Sequence, residues 1–223
     1  MQRNNQVWNS KLLRELNRVK SKAPLEYFIH LLQRVRGRIF TLFMKSLFYS
    51  IGRGTVVEPP LQFANLRGVA LGHGVYINRF SWIIVHKTDG GDSQPKLIIK
   101  DNAGIGMNAT ISAAKKIVIE ENVMLGRNVY ISDHGHEFAD ISVPIMHQGM
   151  RKVTEVRIGA GTWIGQNAAV LPGAQIGRNC VIGANSVVNS EIPDFSVAVG
   201  APAKIVAQYS KSKKEWIRIR RDE

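Results

Sequence analysis

The sequence holds one cysteine, Cys180, in 223 residues. That excludes an internal disulfide and a multi-cysteine zinc site, and makes a reducing, intracellular compartment the default expectation. No apolar run reaches the ~20 charge-free residues that a membrane span requires, and the N-terminus lacks the uninterrupted apolar core of a signal peptide. Acidic residues are scarce: 17 Asp and Glu stand against 30 Lys and Arg, a formal charge of +13. The deficit is local, because residues 1–50 hold 10 basic residues against 2 acidic, residues 203–223 hold 7 against 3, and residues 51–202 hold 13 against 12. A nucleic-acid binder carries its basic stripe on the folded body, so nucleic acid is not an expected partner.

What is present divides the chain into three parts: a basic helical segment (1–51), a repetitive domain (52–207) and a basic C-terminal tail (208–223). Within residues 8–49, Phe28, Leu32, Val35, Ile39, Phe43 and Leu47 recur at spacings of three or four, with Gln33, Arg34, Arg36, Arg38 and Lys45 between them. This is the pattern of an amphipathic helix. Pro24 separates it from a shorter helix around Trp8 to Lys22. Two uses of the apolar stripe follow. It covers the open end of the next domain, or it lies on an anionic membrane surface.

From Gly52 the period becomes six. Ile158, Ile164, Val170, Ile176, Ile182 and Val188 are each six apart, and four residues after each comes a second, mostly small residue: Thr162, Ala168, Ala174, Cys180, Ser186 and Ile192. Ile119, Leu125 and Ile131 obey the same rule, as do Leu71 and Ile77, and Ile99, Ile105 and Ile111 keep the beat. Six is neither the helical period nor the alternation of a wide sheet, so each hexad is a short strand and a corner with its aliphatic residue inward. Three such faces close one turn, residues 18 apart stack at the ~4.8 Å strand spacing, and the product is an all-β solenoid. The recurring glycines suit corners where a side chain clashes or φ is unfavourable. Cys180 falls on a small inward position, which assigns it to packing. The beat breaks at residues 86–96 and 137–155, both read as loops.

The segment "VRIGAGTWIGQNAAVLPGAQIGRNCVIGANSVVNSEIPDFSVAVGAPAKIV" resembles the hexapeptide-repeat acyltransferases, especially the maltose, galactoside and polysaccharide O-acetyltransferase branch. The resemblance implies a left-handed parallel β-helix, here with an α-helical N-terminal segment and a short C-terminal helix or tail. It also implies a homotrimer with acetyl-CoA bound between neighbouring prisms. The left hand comes from the family, since the general crossover rule predicts the opposite.

The second break follows "ISDHGH", with Asp133, His134 and His136 closing the hexad opened by Ile131. In the enzymes this sequence resembles, the catalytic histidine ends that hexad, which is His136. Acyl transfer to a hydroxyl needs a base to remove its proton, and imidazole suits that task near neutral pH. His134 competes for the role, and Asp133 either orients a histidine or forms a turn. The other histidines, His30, His73, His86 and His147, show no ligand spacing, so no metal is expected. Trp163 follows the inward Thr162 and so faces outward. By resemblance Trp163, Gly165, Gln166, Gly183 and Ala184 line the acetyl-CoA arm and Lys204 meets its phosphates, with Arg178 or Lys211, Lys213 and Lys214 as alternative phosphate partners. A family asparagine aligns with Gly106, and Asn108 replaces it as an acceptor-binding candidate.

The expected function is an acetyl-CoA-dependent O-acetyltransferase acting on a bacterial glycan or glycan precursor. Its expected location is cytoplasmic, with peripheral contact at the inner face of the plasma membrane as the second use of the helix. The alternatives are N-acetylation of a nucleotide-linked amino sugar and a non-catalytic trimeric scaffold.

Overall fold

The computed structural model of the chain describes residues 24–87 and 94–219. The helix expected around Trp8 to Lys22, and residues 88–93 of the first loop, lie outside the described residues. From Ser50 to Val199 the chain visits three parallel sheets in rotation. The first face stacks seven strands from Ser50–Ile51 to Glu191–Ile192, the second seven from Val56–Val57 to Ser196–Val199, and the third six from Gln62–Ala64 to Val187–Val188. This is the expected left-handed parallel β-helix. Each short strand alternates one outward with one inward side chain, and the inward ones form columns. Ile77, Ile99, Ile105, Ile111, Ile131 and Ile164 are all fully buried, as are Thr162, Ala168, Ala174 and Ser186 on the small-residue positions. Each buried aliphatic contributes roughly 1.5–3 kcal/mol of transfer free energy, and the columns sum this along the prism.

The coil length varies, which corrects the uniform 18-residue repeat. Register steps are 18 for Arg157 to Gln175, Ile164 to Ile182 and Val170 to Val188, but 20 for Ile51 to Leu71 and for Ile111 to Ile131. They grow to 28 between Leu71 and Ile99 and to 39 between Ile119 and Ile158, where the two loops leave the coil. The corners differ as well. Asparagine takes the left-handed conformation at Asn102, Asn108, Asn122, Asn128, Asn167, Asn179 and Asn185, because its side chain tolerates that region better than any other residue with a Cβ except aspartate. The glycines after the inward aliphatics serve close packing: a Cβ on Gly165 would stand 2.5 Å from the Ala184 nitrogen, and one on Gly159 2.5 Å from the Gly177 carbonyl carbon.

Helix α1 (Pro24–Met44) closes the first-coil end. Gly37 and Thr41 face the coil. The Thr41 hydroxyl donates to the Gly37 carbonyl at 2.7 Å and accepts from the Val57 N–H at 2.7 Å, so it satisfies a backbone donor on the outermost strand of the second face. Phe40 and Met44 pack against the core, and Phe48 enters it. The helix therefore covers the end of the coil, but not with the stripe the periodicity suggests. Phe28, Leu32, Val35, Ile39, Phe43 and Leu47 are exposed, because the close approach needed at Val56 and Val57 selects the face carrying glycine and threonine. At the other end the chain reverses. Lys204–Ser210 and Glu215–Arg218 extend the second sheet as antiparallel strands, so the segment read as a short helix or tail is an antiparallel hairpin. Tyr209 packs edge to face on Trp216 with ring centroids 5.6 Å apart, and Lys211 to Lys214 form the turn.

Candidate functional site

Both loops leave the coil at the same edge, where the third face turns into the first. The strands Trp82–Val85, Thr110–Ala113 and Tyr130–Ser132 are neighbours on three successive coils, so the residues that follow them stack. His86, Ser112 and Asp133–His134 meet there. The Ser112 hydroxyl lies 3.2 Å from His86 Nε2 and 3.5 Å from His134 Nε2, and the two imidazoles pack edge to face with centroids 4.8 Å apart.

Asp133 holds this cluster. Its carboxylate is fully buried. Oδ1 accepts from the Ala114 N–H at 2.7 Å and Oδ2 from the Lys115 and Lys116 N–H groups, both at 2.7 Å. Oδ1 also accepts from His134 Nδ1 at 2.9 Å. A carboxylate only accepts, so Nδ1 carries the proton and Nε2 is the nitrogen turned toward Ser112 and His86. Asp133 is thus both a turn former and an orienter of histidine. His134 is buried, and burial together with the neighbouring His134 holds His86 below the ordinary histidine range. The charge of His136 acts on His86 in the same direction.

His136 is exposed and pairs with Met150 in the two-residue antiparallel ladder of Gly135–His136 with Met150–Arg151 that roots the second loop. The loop is braced internally. Arg151 lies 4.2 Å over the Phe138 ring, and Gln148 donates to the carbonyls of Asp140 and Val143. Its outer residues Ile141 and Met146 are 100% and 80% exposed, which is unusual for apolar side chains on an ordered arm unless another surface covers them. The Lys96 ammonium donates to the His86 carbonyl and ties the ends of the first loop together.

The residues expected at acetyl-CoA lie elsewhere on the prism. Trp163 points outward from the second face, 47% exposed, stacked between Met124 below and Val181 above. Gln166 and Ala184 are exposed on successive coils at the edge between the second and third faces, where the Asn185 N–H donates to the Gln166 carbonyl at 3.0 Å. Lys204 pairs with Val199 beside that edge. The Cβ directions of Gly165 and Gly183 point into the next coil, at 2.5 Å from the Ala184 nitrogen and 2.7 Å from a Val199 methyl, so their small size is required by coil stacking and does not open the groove. Asn108 is an exposed left-handed corner on this edge too, apart from His136. Arg178 sits at a third edge, bound to Asp194 at 2.8 Å and lying over Phe195, with Lys211 on the same ring. Cys180 is buried with its thiol pushed up by burial, as its packing position predicts.

His136 and Trp163 therefore stand on either side of the third face, whose strand of some four residues spans about 13 Å. One chain does not bring them together. Among the described residues no group of three or more His, Cys, Asp or Glu is arranged to hold a metal ion. Sequence reasoning passed over His86 and Ser112. Their only signal is that each break in the beat opens beside a histidine, and that signal becomes legible once both breaks are assigned to one edge.

Comparison with known proteins fits this architecture. Residues 155–190 match the bacterial transferase hexapeptide family, described as six repeats. The chain is 31% identical over 171 residues to a galactoside O-acetyltransferase of Lactococcus lactis subsp. lactis (strain IL1403), covering 76% of this chain and 67% of that one. It is 37% identical over 156 residues to the probable acetyltransferase Rv3034c of Mycobacterium tuberculosis (strain ATCC 25618 / H37Rv), covering 70% of this chain but only 48% of the relative. The chain thus spans about half the length of that mycobacterial protein. Among solved structures, AntD, an N-acyltransferase from Bacillus cereus in complex with dTDP and 3-hydroxybutyryl-CoA, superimposes with a TM-score of 0.64 at 16% identity, covering 78% of this chain and 90% of that one. At that identity the likeness is one of fold.

Proposed function

This chain belongs to the hexapeptide-repeat acetyltransferase family, and on that footing we propose that it transfers acetyl from acetyl-CoA to a hydroxyl of a bacterial glycan or glycan precursor, with His136 as the general base. One observation carries the reading. The candidate base and the candidate cofactor-facing residues occupy different edges of one prism, so a working site forms where the His136 edge of one copy meets the Trp163 edge of the next. A homotrimer closes that arrangement three times by one rotation. The bare apolar arm at Ile141 and Met146 supports it, since a neighbouring prism gives that arm a surface.

Acetyl-CoA supplies the activated acyl group. The chain supplies position and a proton acceptor. The exposed indole of Trp163 and the backbone edge at Gln166 and Ala184 offer a flat apolar wall and hydrogen-bonding groups for the pantetheine arm, and Lys204 offers a cation to its phosphates. His136 takes the proton of the acceptor hydroxyl as its oxygen attacks the thioester carbonyl, and returns a proton to the departing CoA sulfur. A backbone N–H at the edge stabilises the oxyanion between these steps. Beneath it, the Asp133–His134–Ser112–His86 cluster fixes the wall from which both loops spring. The galactoside O-acetyltransferase relative points to the class, a sugar hydroxyl, while the arm of residues 137–155 sets which glycan fits. The compartment we assign is the cytoplasm, where acetyl-CoA is available and a lone cysteine stays reduced.

Thiol release from acetyl-CoA, followed with a panel of glycans and amino sugars, tests this directly. The expected result is turnover with a hydroxyl acceptor that falls by about 10²–10⁴-fold in His136→Ala while the melting curve stays unchanged. Turnover with amino sugars alone moves the assignment to N-acetylation, which uses the same base and donor. Unchanged turnover in His136→Ala removes the base, and no thiol release with no CoA binding leaves a scaffold.

A further inference from the structure

Helix α1 carries its hydrophobic residues on the wrong side for a core helix. Its docked face is Gly37, Phe40, Thr41 and Met44, held by the Thr41 contact to Val57 and by an approach so close that a Cβ on Gly37 would lie 2.9 Å from a Val56 methyl. At 3.6 residues per turn the opposite face is Phe28, Leu32, Val35, Ile39, Leu42 and Phe43. All six are exposed, Leu42 by 72% and Phe43 by 79%. Seated on the end of the coil, the helix turns this stripe away from the prism.

The charge around the stripe is of one sign. From Tyr27 to Val57 there are five basic residues, Arg34, Arg36, Arg38, Lys45 and Arg53, and no Asp or Glu. All five are exposed. Helical spacing puts Arg38 along one border of the stripe and Arg36, whose guanidinium also donates to the Pro59 carbonyl at 3.1 Å, along the other, while Arg34 falls beside the docked face. Arginine stems of this length lie along an apolar surface while their heads reach polar groups at its rim. The helix is not long and apolar enough to cross a bilayer, and an isologous pairing of two such faces brings the same cations against each other. A surface with an apolar interior and an anionic rim complements it.

We infer that α1 is an interfacial helix that seats this end of the protein on an anionic lipid bilayer, its stripe among the acyl chains and its arginines at the headgroups. The attraction has two parts that separate experimentally: apolar burial, and about fivefold in partition for each cation near an anionic surface. It stands independently of the acetyl-transfer reading, because neither the stripe nor its borders touch the candidate site.

The test is co-sedimentation of the full chain with vesicles of phosphatidylcholine containing phosphatidylglycerol, against phosphatidylcholine alone, at ~0.15 M salt. The expected result is partition to the anionic vesicles at least about tenfold stronger than to the neutral ones. In Val35→Ser/Ile39→Ser/Phe43→Ser that partition falls by at least about tenfold, with the melting temperature, the oligomeric mass and thiol release on a water-soluble acceptor all unchanged. Neutralising Arg36 and Arg38 to glutamine removes the preference for the anionic lipid. Equal partition of the serine variant and the parent overturns the inference, as does failure of the parent to bind. A change of oligomeric mass in the serine variant also overturns it, by assigning the stripe to a second copy of the chain.

Discussion

Asp133→Asn isolates what the buried carboxylate does. In the parent it accepts four hydrogen bonds, from the N–H groups of Ala114, Lys115 and Lys116 and from His134 Nδ1. An amide of the same shape keeps one oxygen. With that oxygen toward Lys115 and Lys116, the new NH₂ faces the Ala114 N–H, donor against donor, and His134 must offer Nδ1 as an acceptor. Reversed, the NH₂ faces two backbone donors, which is worse. The cheaper arrangement leaves one backbone N–H unpaired, about 1–3 kcal/mol, and turns two charge-assisted bonds into neutral ones, roughly 1 kcal/mol each. Lys115 and Lys116 are exposed, so water relieves part of the loss and a total of about 2–4 kcal/mol is expected. For a chain of this size that lowers the melting temperature by about 5–15 °C. A second readout follows from the geometry: the proton of neutral His134 moves from Nδ1 to Nε2, which imidazole ¹⁵N shifts report directly. An Asp133→Asn variant that melts within a degree of the parent, with Nδ1 still protonated, refutes the four-bond account.

Three further outcomes follow from other parts of the structure. Trp163→Ala should raise the KM for acetyl-CoA by about tenfold or more while moving the melting temperature by under about 2 °C, since the ring is half exposed and its loss opens no core cavity; an unchanged KM detaches Trp163 from the donor. Gly165→Ala forces a methyl toward the Ala184 nitrogen at 2.5 Å and should cost about 1–3 kcal/mol in urea unfolding, whereas a variant as stable as the parent means the coils separate freely there. The third concerns pH. The folded state holds His86 below its ordinary value, by burial and by His134, with Lys96 and His136 acting the same way and Asp133 opposing them. The unfolded chain therefore binds the proton first, and the stability this residue contributes is present above its ordinary pKa of 6.5 and lost as pH falls below it. Thermal melts at neutral and mildly acidic pH should differ less in His86→Gln than in the parent, and an equal difference would falsify the assignment.

The fold was largely legible because its code is local. One inward aliphatic and one small residue per hexad specify strand, corner and face without reference to anything distant, and Ile158 to Val188 read the coil directly. What distance decides was not legible. The meeting of His86, Ser112 and His134 depends on register steps of 28 and 20 residues between third-face strands, and those steps depend on how much chain each loop takes up, which no period reports. The corner residues were legible only in part. Of the two reasons for a corner glycine, steric clash holds at Gly165, which answers to the backbone of the coil above, while the left-handed conformation falls two residues on, at Asn167.

Helix α1 carries the same lesson further, because hydrophobic periodicity identifies a face without saying what it meets. The side that docks on the coil is chosen by steric approach and by one hydroxyl that answers the Val57 N–H, both of which favour Gly37 and Thr41 over larger apolar neighbours. Burial of the apolar stripe is then left to some other surface, and the site shows the same incompleteness. His136 and Trp163 stand across a face from each other, and the arm holds Ile141 and Met146 out in solvent. A lone prism satisfies its backbone along three sheets and buries its isoleucine columns, so it is complete as a fold. On the proposed function it holds half of a site on each of two edges, and the physical reason to associate would be that rotation by one third of a turn supplies each edge with the other.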